Sequence, residues 1–162
     1  MSEQENVVVD QQQQQQPRTN PLGRKLVVVF ALPGDTFSHR FLLGWTMIFN
    51  YCMNHDITPL ITNHQSNNIY YVRNMCLGGN NLRGVEQKPF NGEVDYDFIM
   101  WIDSDQVFSV ENFVNLLQHD QDIMSGLYLM ESGKEFATVE KMDQAYFKKH
   151  GHYEFLSGEE LL

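Results

Sequence analysis

The sequence predicts an α/β fold with three layers, in which a mainly parallel sheet lies between helices. Short apolar runs rich in β-branched residues alternate along the chain with longer segments whose apolar residues follow helical spacing. Glycine, proline and polar residues separate these segments, as expected of turns. The chain has 162 residues, 42% of them hydrophobic, which is enough for the core of one ordinary domain.

The N-terminal part of the chain, residues 1–24, differs in composition from the rest. Six consecutive glutamines, Gln11 to Gln16, are followed by the helix breakers Pro17 and Gly23. A polar segment of low complexity cannot bury enough apolar surface to form a core. We therefore predict a disordered tail over residues 1–24.

The first strand and the first helix are predicted from residues 26–53. The run Leu26–Ala31 is continuously apolar and ends just before Pro33, which is typical of a strand covered on both faces. Ser38 is a candidate N-cap for a helix that extends to Met53. The apolar positions of this helix follow the spacing of one helix face; they are Phe41, Leu42, Trp45, Ile48, Phe49 and Cys52.

A second strand and helix are predicted between residues 57 and 77. Residues 57–62 resemble a short strand, and a helix is predicted to begin at Ser66 or Asn67 and to end at Leu77. The glycine pair that follows Leu77 stops the helix. A polar loop is predicted over residues 80–94.

The third repeat of the pattern contains five consecutive apolar residues, Phe98 to Ile102. A strand is predicted at residues 96–102, and Ser109 caps a helix that ends near Gln118. A fourth strand is predicted at Asp122–Leu129. These elements place one domain at residues 25–130 and leave residues 131–162 as a polar C-terminal extension.

Composition restricts the location and the partners of the protein. The formal net charge is −10, from 11 basic and 21 acidic side chains, which argues against nucleic acid as a partner. The sequence lacks a signal peptide and an apolar run of the ~18 to 20 residues that a membrane span needs, so we expect a cytoplasmic protein with no transmembrane segment. Cys52 and Cys76 lie in apolar, helical contexts and are predicted to be buried thiols rather than a disulfide.

Two carboxylates one residue apart, Asp103 and Asp105, directly follow the third apolar run. Like charges this close repel each other unless a positive group lies beside them. In parallel sheets, ligands bind beyond the carboxyl ends of the strands. The segments Leu32–Asp35 and Asn63–His64 follow the other two strands, so we expect three loops to converge on one ligand-binding edge.

Several interpretations of the Asp-Ser-Asp segment compete. The simplest is that Asp103 and Asp105 are loop residues that help to start the next helix. A calcium loop is excluded, because its sixth and twelfth positions are Phe108 and Val114 rather than glycine and glutamate. The pattern Asp-x-Asp-x-Val, completed by Val107, resembles haloacid-dehalogenase phosphatases, in which Asp103 would be the nucleophile; that motif normally follows the first strand of its domain.

A divalent cation that bridges a nucleotide diphosphate is the remaining interpretation. Mg²⁺ and Mn²⁺ prefer carboxylate and phosphate oxygens, and proteins commonly hold them with one or two carboxylates plus the phosphates of the substrate. Such a cation would offset the repulsion between Asp103 and Asp105. As a Lewis acid it would also stabilise a departing nucleoside diphosphate.

Four segments together resemble the nucleotide-binding half of GT-A-fold glycosyltransferases. The segment "DFIMWIDSDQVF" (97–108) resembles their DxD motif, and "NNIYYVRNMCL" (67–77) is similar to a helix that carries an Arg-Asn pair, here Arg73 and Asn74. The segment "DIMSGLYLM" (122–130) is similar to the strand that follows the DxD helix. The first strand and helix are represented by "KLVVVFALPGDTFSHRFLLGW" (25–45).

The resemblance implies a metal-dependent transferase, or its donor-binding portion. Asp103 and Asp105 would bind Mn²⁺ or Mg²⁺, with Asp105 as the more direct ligand. Asp103, Leu32, Pro33 and Arg73 would contact the nucleotide-sugar donor. The acceptor, whether a glycan, a protein or a lipid, and the catalytic base are not indicated. By the same resemblance, residues 25–130 would be the nucleotide-sugar-binding domain, and residues 131–162 would be the start of a truncated acceptor-binding half. Because few residues follow position 130, a catalytically inactive nucleotide-sugar-binding module is an alternative.

Overall fold

The computed structural model describes residues 19–79 and 87–161, which form two compact units. The first unit ends at Gln118 and the second begins at His119, earlier in the chain than the domain boundary predicted at residue 130. Most of the predicted tail, residues 1–18, lies outside the described residues. Its last residues belong to the folded unit instead. Asn20 is buried there, and its side-chain amide donates to the carbonyl oxygens of Arg24 at 2.7 Å and His55 at 3.0 Å.

The first unit contains three strands and three α-helices in the predicted alternation. The elements are β1 (Leu26–Pro33), α1 (His39–Asn54), β2 (Ile57–His64), α2 (Ile69–Cys76), a short 3-10 helix (Pro89–Gly92), β3 (Phe98–Trp101) and α3 (Val110–Gln118). Ser38 caps α1 as predicted, since its hydroxyl accepts from the Phe41 N–H at 3.1 Å. Asn68, one residue later than predicted, caps α2 by accepting from the N–H groups of Tyr70 and Tyr71.

The sheet is parallel throughout, with the strand order β2-β1-β3. Its central strand β1 is the most apolar, which explains why the two neighbours pair with it on either side. Alternate side chains of β1 point to opposite faces of the sheet. Those of Val28, Phe30 and Leu32 enter a core formed with α1 and α3, whereas α2 packs against β1 and β2 from the other face. The predicted α/β fold with three layers is therefore confirmed.

The predicted fourth strand, Asp122–Leu129, is wrong for the described structure. The three-stranded sheet contains none of its residues, and Ile123 is 92% exposed. The reason lies in the position of α3, which packs on the same sheet face as α1. The β1–α1–β2 connection runs toward one edge of the sheet, so a parallel strand placed beside β3 after α3 would need a crossover of the opposite hand. Nearly all such crossovers share one hand.

The outer strand β3 is less buried than the central strand β1. Phe98, Ile99 and Met100 are half-buried, and Trp101 is 37% exposed. Because β3 pairs with β1 and forms an edge of the sheet, its second side lacks the neighbouring strand that would cover it.

The second unit, residues 119–161, contains a short helix and little regular sheet. The helix α4 (Gln144–His150) begins at Asp143, whose carboxylate accepts from the N–H groups of Ala145 and Tyr146. These hydrogen bonds, first that from Tyr146, lower the pKa of Asp143. Leu129 and Phe136 form an isolated antiparallel bridge. Within the described residues of both units, none of the helices combines the length and apolar character needed to cross a bilayer.

Both cysteines are free thiols in the interior, as predicted. Cys52 lies on the core side of α1 and Cys76 at the end of α2, and neither is exposed. Burial raises the pKa of the Cys52 thiol to about 12 and also raises that of Cys76. Both side chains therefore act as small apolar groups at neutral pH.

One ion pair joins the amino ends of β1 and β3. The carboxylate of Asp97 accepts from the Val27 N–H at 2.7 Å and from the Arg24 guanidinium, and these hydrogen bonds lower the pKa of Asp97. A pKa lower in the folded state than in the unfolded state gives stability above the unfolded value, and this stability is lost as the pH falls through the folded value.

We expect replacement of Asp97 by alanine to lower the free energy of unfolding by about 1 kcal/mol at pH 7, because a partly exposed charge is screened by water. Urea unfolding at pH 7 and at pH 3 measures the effect. The difference between wild type and variant should shrink at pH 3, where the carboxylate is increasingly protonated. An equal difference at both pH values would contradict the assignment to the ionised carboxylate.

Candidate functional site

The carboxyl ends of the three parallel strands meet at one edge of the sheet, and the loops that follow them contact each other. The Gly34 N–H, after β1, donates to the carbonyl oxygen of His64, at the end of β2, over 2.9 Å. The side-chain amide of Asn63 donates to the carbonyl oxygens of Leu32 at 2.6 Å and Gly34 at 2.8 Å. The first two loops are therefore held together by three hydrogen bonds.

The third loop approaches the first one closely at Gly34. A Cβ atom placed on Gly34 would lie 2.8 Å from the Cβ atom of Ser104, the residue between the two aspartates. The φ angle of Gly34 is +141°, a value that side chains disfavour. Glycine is thus required here for the β1 loop to lie against the Asp-Ser-Asp segment, and the predicted convergence of three loops is present in the structure.

Arg73 is the positive partner of Asp103, the first aspartate of the pair. Its Nη2 atom lies 3.1 Å from Oδ1 and 3.0 Å from Oδ2 of Asp103, so both oxygens of this carboxylate accept from one guanidinium nitrogen. The two side chains are 47% and 39% exposed, so the ion pair lies at the surface. The family resemblance implies that Arg73 contacts the nucleotide-sugar donor. The structure directs it to the Asp-Ser-Asp segment.

The two aspartates have different surroundings. Asp105 is exposed and forms no hydrogen bond or ion pair with the described part of the chain. Asp103 is half-buried and is engaged by Arg73. The Asp-Ser-Asp segment therefore presents one neutralised carboxylate and one available carboxylate, rather than two equivalent groups.

The residues predicted to contact the donor at the end of β1 are interior residues. Leu32 is 6% exposed and Pro33 is also buried. Their side chains support the edge from within. Asp35, in the loop that follows, is exposed, and its carboxylate accepts from the side-chain amide of Gln65 at 2.7 Å. Gln65 was not predicted. The sequence signal that could have found it is its position directly after a strand.

Trp101 is a second residue that the sequence reasoning did not single out. The guanidinium carbon of Arg73 lies 6.0 Å from the centre of the Trp101 ring, at the outer limit of a cation–π contact. Trp101 is the last residue of β3 and precedes Asp103 by two positions. It thereby restricts the directions open to Arg73.

A cavity of about 450 Å³ lies beside the edge, where β2 ends and α2 terminates. Its lining combines carbonyl, amide and imidazole groups with apolar side chains, a mixture that suits a flat polar ligand. The lining residues are Ile61, Thr62, Asn63, His64, Met75, Gly78, Gly79, Phe90 and Asn91. Asn63 and His64 belong both to this cavity and to the converging loops.

A preformed metal site is not present among the described residues, where no group of three or more metal-binding side chains comes together. The two histidines of the C-terminal segment, His150 and His152, belong to the second unit and are exposed. A divalent cation at the Asp-Ser-Asp segment would therefore take most of its ligands from phosphate oxygens and water, as magnesium sites commonly do.

Comparisons of the chain with protein-family models, with curated proteins and with solved structures found no match.

Proposed function

We propose that this chain binds a nucleoside-diphosphate sugar at the carboxyl edge of its sheet, as a glycosyltransferase or as the donor-binding portion of one. The observation that carries the proposal is the placement of Arg73 against Asp103, next to the available carboxylate of Asp105, where three loops meet. A cationic group and a carboxylate side by side match the two needs of a diphosphate, which are a guanidinium for its oxygens and a cation shared with an acidic side chain.

The residues present fit Mn²⁺ or Mg²⁺ as a cation shared with the ligand. Asp105 is available to hold it, whereas Asp103 would have to exchange Arg73 for the cation. When bound, such a cation supplies Lewis-acid stabilisation of the charge that develops on a departing diphosphate. The guanidinium of Arg73 would stabilise the same charge through hydrogen bonds to phosphate oxygens.

The base and ribose of the donor suit the neighbouring cavity. It is large enough for part of a nucleotide, and Asn63 offers a side-chain amide whose oxygen is not used in the hydrogen bonds to the β1 loop. His64 adds an imidazole to the same wall. The proposal includes a cytoplasmic location, because both buried cysteines are free thiols, as is usual in reducing compartments.

Thermal melting with a panel of UDP-, GDP- and CMP-linked sugars, with and without Mn²⁺, tests the proposal. A ligand at a hundred times its Kd stabilises the folded state by about 2.7 kcal/mol. For a chain of this length, the midpoint should rise by about 5 to 10 °C. We expect at least one nucleotide sugar to produce such a shift, and a larger one with Mn²⁺.

Asp95→Asn is a matched control for Asp105→Asn. Asp95 is also an exposed aspartate, but it precedes β3 and so lies toward the opposite edge of the sheet. Asp105→Asn should remove the effect of Mn²⁺, and Asp95→Asn should preserve it. A panel without any shift would refute the proposal. A shift without release of nucleoside diphosphate, in the presence of candidate acceptors, would identify the inactive binding module instead of the transferase.

A further inference from the structure

The two aspartates of the Asp-Ser-Asp segment differ in their contacts, and we infer from this that they have different functions. Asp103 is a positioning residue that holds Arg73 as an anion-binding group, and Asp105 alone faces the cation. The inference rests on the proposed binding of a diphosphate at this edge. It departs from the expectation that both aspartates bind the metal.

Arg73 has hydrogen-bond donors that Asp103 leaves unused. A guanidinium has three nitrogens that carry five N–H donors in one plane. Asp103 engages only Nη2, and neither Nε nor Nη1 donates to another group within residues 19–79 and 87–161. The side chain is 47% exposed, so these remaining donors are open to solvent and to a ligand. Arg73 therefore retains donors on Nε and Nη1 for the oxygens of an anion.

Binding of an anion costs conformational entropy of the arginine side chain. A free arginine on a short helix samples many rotamers, and binding an anion would have to restrict them. The contact of Nη2 with both oxygens of Asp103, together with the Trp101 ring 6.0 Å from Cζ, already restricts the guanidinium. Asp103 thus prepares Arg73 for an anion before the anion arrives.

Asp105 is the carboxylate that remains for the cation. A carboxylate that accepts from a guanidinium through both oxygens has less capacity for a metal ion than one without such a partner. Asp105 is exposed and has no such partner among the described residues, so the cation that accompanies the diphosphate belongs to Asp105. Diphosphate binding should then have a component that needs no metal.

Inorganic pyrophosphate, titrated calorimetrically into the full chain in EDTA, isolates this component. We expect Arg73→Ala to weaken its binding on the order of tenfold, because charge-assisted hydrogen bonds are lost. Asp103→Asn should weaken it by about three- to tenfold, and the double variant should bind no more weakly than Arg73→Ala alone, since the two residues act as one unit. Arg73→Lys should recover little of the affinity lost in Arg73→Ala. Lysine keeps the charge, but it lacks the separate guanidinium nitrogens that could contact Asp103 and the anion at the same time.

The matched control is the second arginine–aspartate pair of the fold, Arg24 and Asp97, which lies at the amino ends of the strands. Arg24→Ala removes the same charge and should leave pyrophosphate binding unchanged. Asp105→Asn should also leave the metal-free affinity unchanged, while abolishing the increase that Mn²⁺ produces. Asp103→Asn should keep that increase. Melting of each variant separates altered binding from altered folding.

Two results would overturn the division of functions. In one, Asp103→Asn abolishes the Mn²⁺ increase and leaves metal-free binding intact, which makes Asp103 an ordinary metal ligand. In the other, Asp103→Asn tightens metal-free binding, which means that Asp103 competes with the anion for Arg73. Pyrophosphate has neither base nor sugar, so the expected pattern with no response to any nucleotide sugar would refute the proposed function and keep this inference.

Discussion

Replacement of Phe30 by alanine should lower the free energy of unfolding by about 3 to 5 kcal/mol, a large part of the stability of a domain this size. Phe30 lies in the central strand β1 and has no exposed surface. Its ring centre is 4.9 Å from that of Trp45 on α1 and 5.5 Å from that of Phe113 on α3. The side chain therefore joins the sheet to both helices of one face, and its removal leaves a cavity that rigid neighbours cannot fill.

Urea unfolding monitored by circular dichroism measures this loss. Phe49→Ala is the matched control, because Phe49 lies on α1 and is 40% exposed. It should cost about 1 kcal/mol, since its ring loses little buried area. Equal losses for the two variants would show that the core does not depend on the sheet-to-helix contact of Phe30. A variant that is unfolded without denaturant would agree with the expectation, and Phe30→Leu then provides a measurable intermediate loss.

The elements that the sequence predicted well are those whose signals are local. The continuous run of β1 and the spacing of α1 need no knowledge of distant residues, and Ser38 caps α1 through the N–H of Phe41, three residues away. The prediction of a fourth strand was wrong because an apolar run indicates only that a segment can pair with another strand, and not which strand that is. Whether residues 122–129 can join the sheet depends on the face that α3 occupies, which no local pattern records.

The candidate site divides in the same way. The position of Asp103 and Asp105 after an apolar strand was sufficient to predict that they lie where the loops at the carboxyl ends of the strands converge. Their unequal surroundings were not predictable, because the partner of Asp103 lies thirty positions earlier, on a helix whose rotation places Arg73 at the border of its apolar face. Leu32 illustrates the converse. The side chain of a residue at a strand end can point to either face of the sheet, and only the structure shows that the side chain of Leu32 enters the core.

Substitution of Gly34 by alanine should damage both the fold and the site. The φ angle of +141° at Gly34 is unfavourable for any residue with a side chain, and the added Cβ would lie 2.8 Å from the Cβ and 3.0 Å from the Oγ of Ser104. Backbone strain and overpacking together should lower the free energy of unfolding by about 2 to 4 kcal/mol. The clash involves a Cβ atom, which cannot rotate away, so the backbone of the third loop must move. Asp103 and Asp105 would move with it.

Melting and calorimetric titration with pyrophosphate, each with and without Mn²⁺, measure the two effects of Gly34→Ala. Gly23→Ala separates them, because Gly23 also has a positive φ of +63° but has no atom within 4 Å of an added Cβ. It should cost about 1 kcal/mol and leave binding unchanged. Adding Ser104→Gly to Gly34→Ala removes the clashing atoms, so binding should recover while the strain at φ persists. Binding that survives in Gly34→Ala, or that does not recover in the double variant, would show that the approach of these two loops does not position the carboxylates. Recovery would place the function of Gly34 in the spacing between β1 and the Asp-Ser-Asp segment.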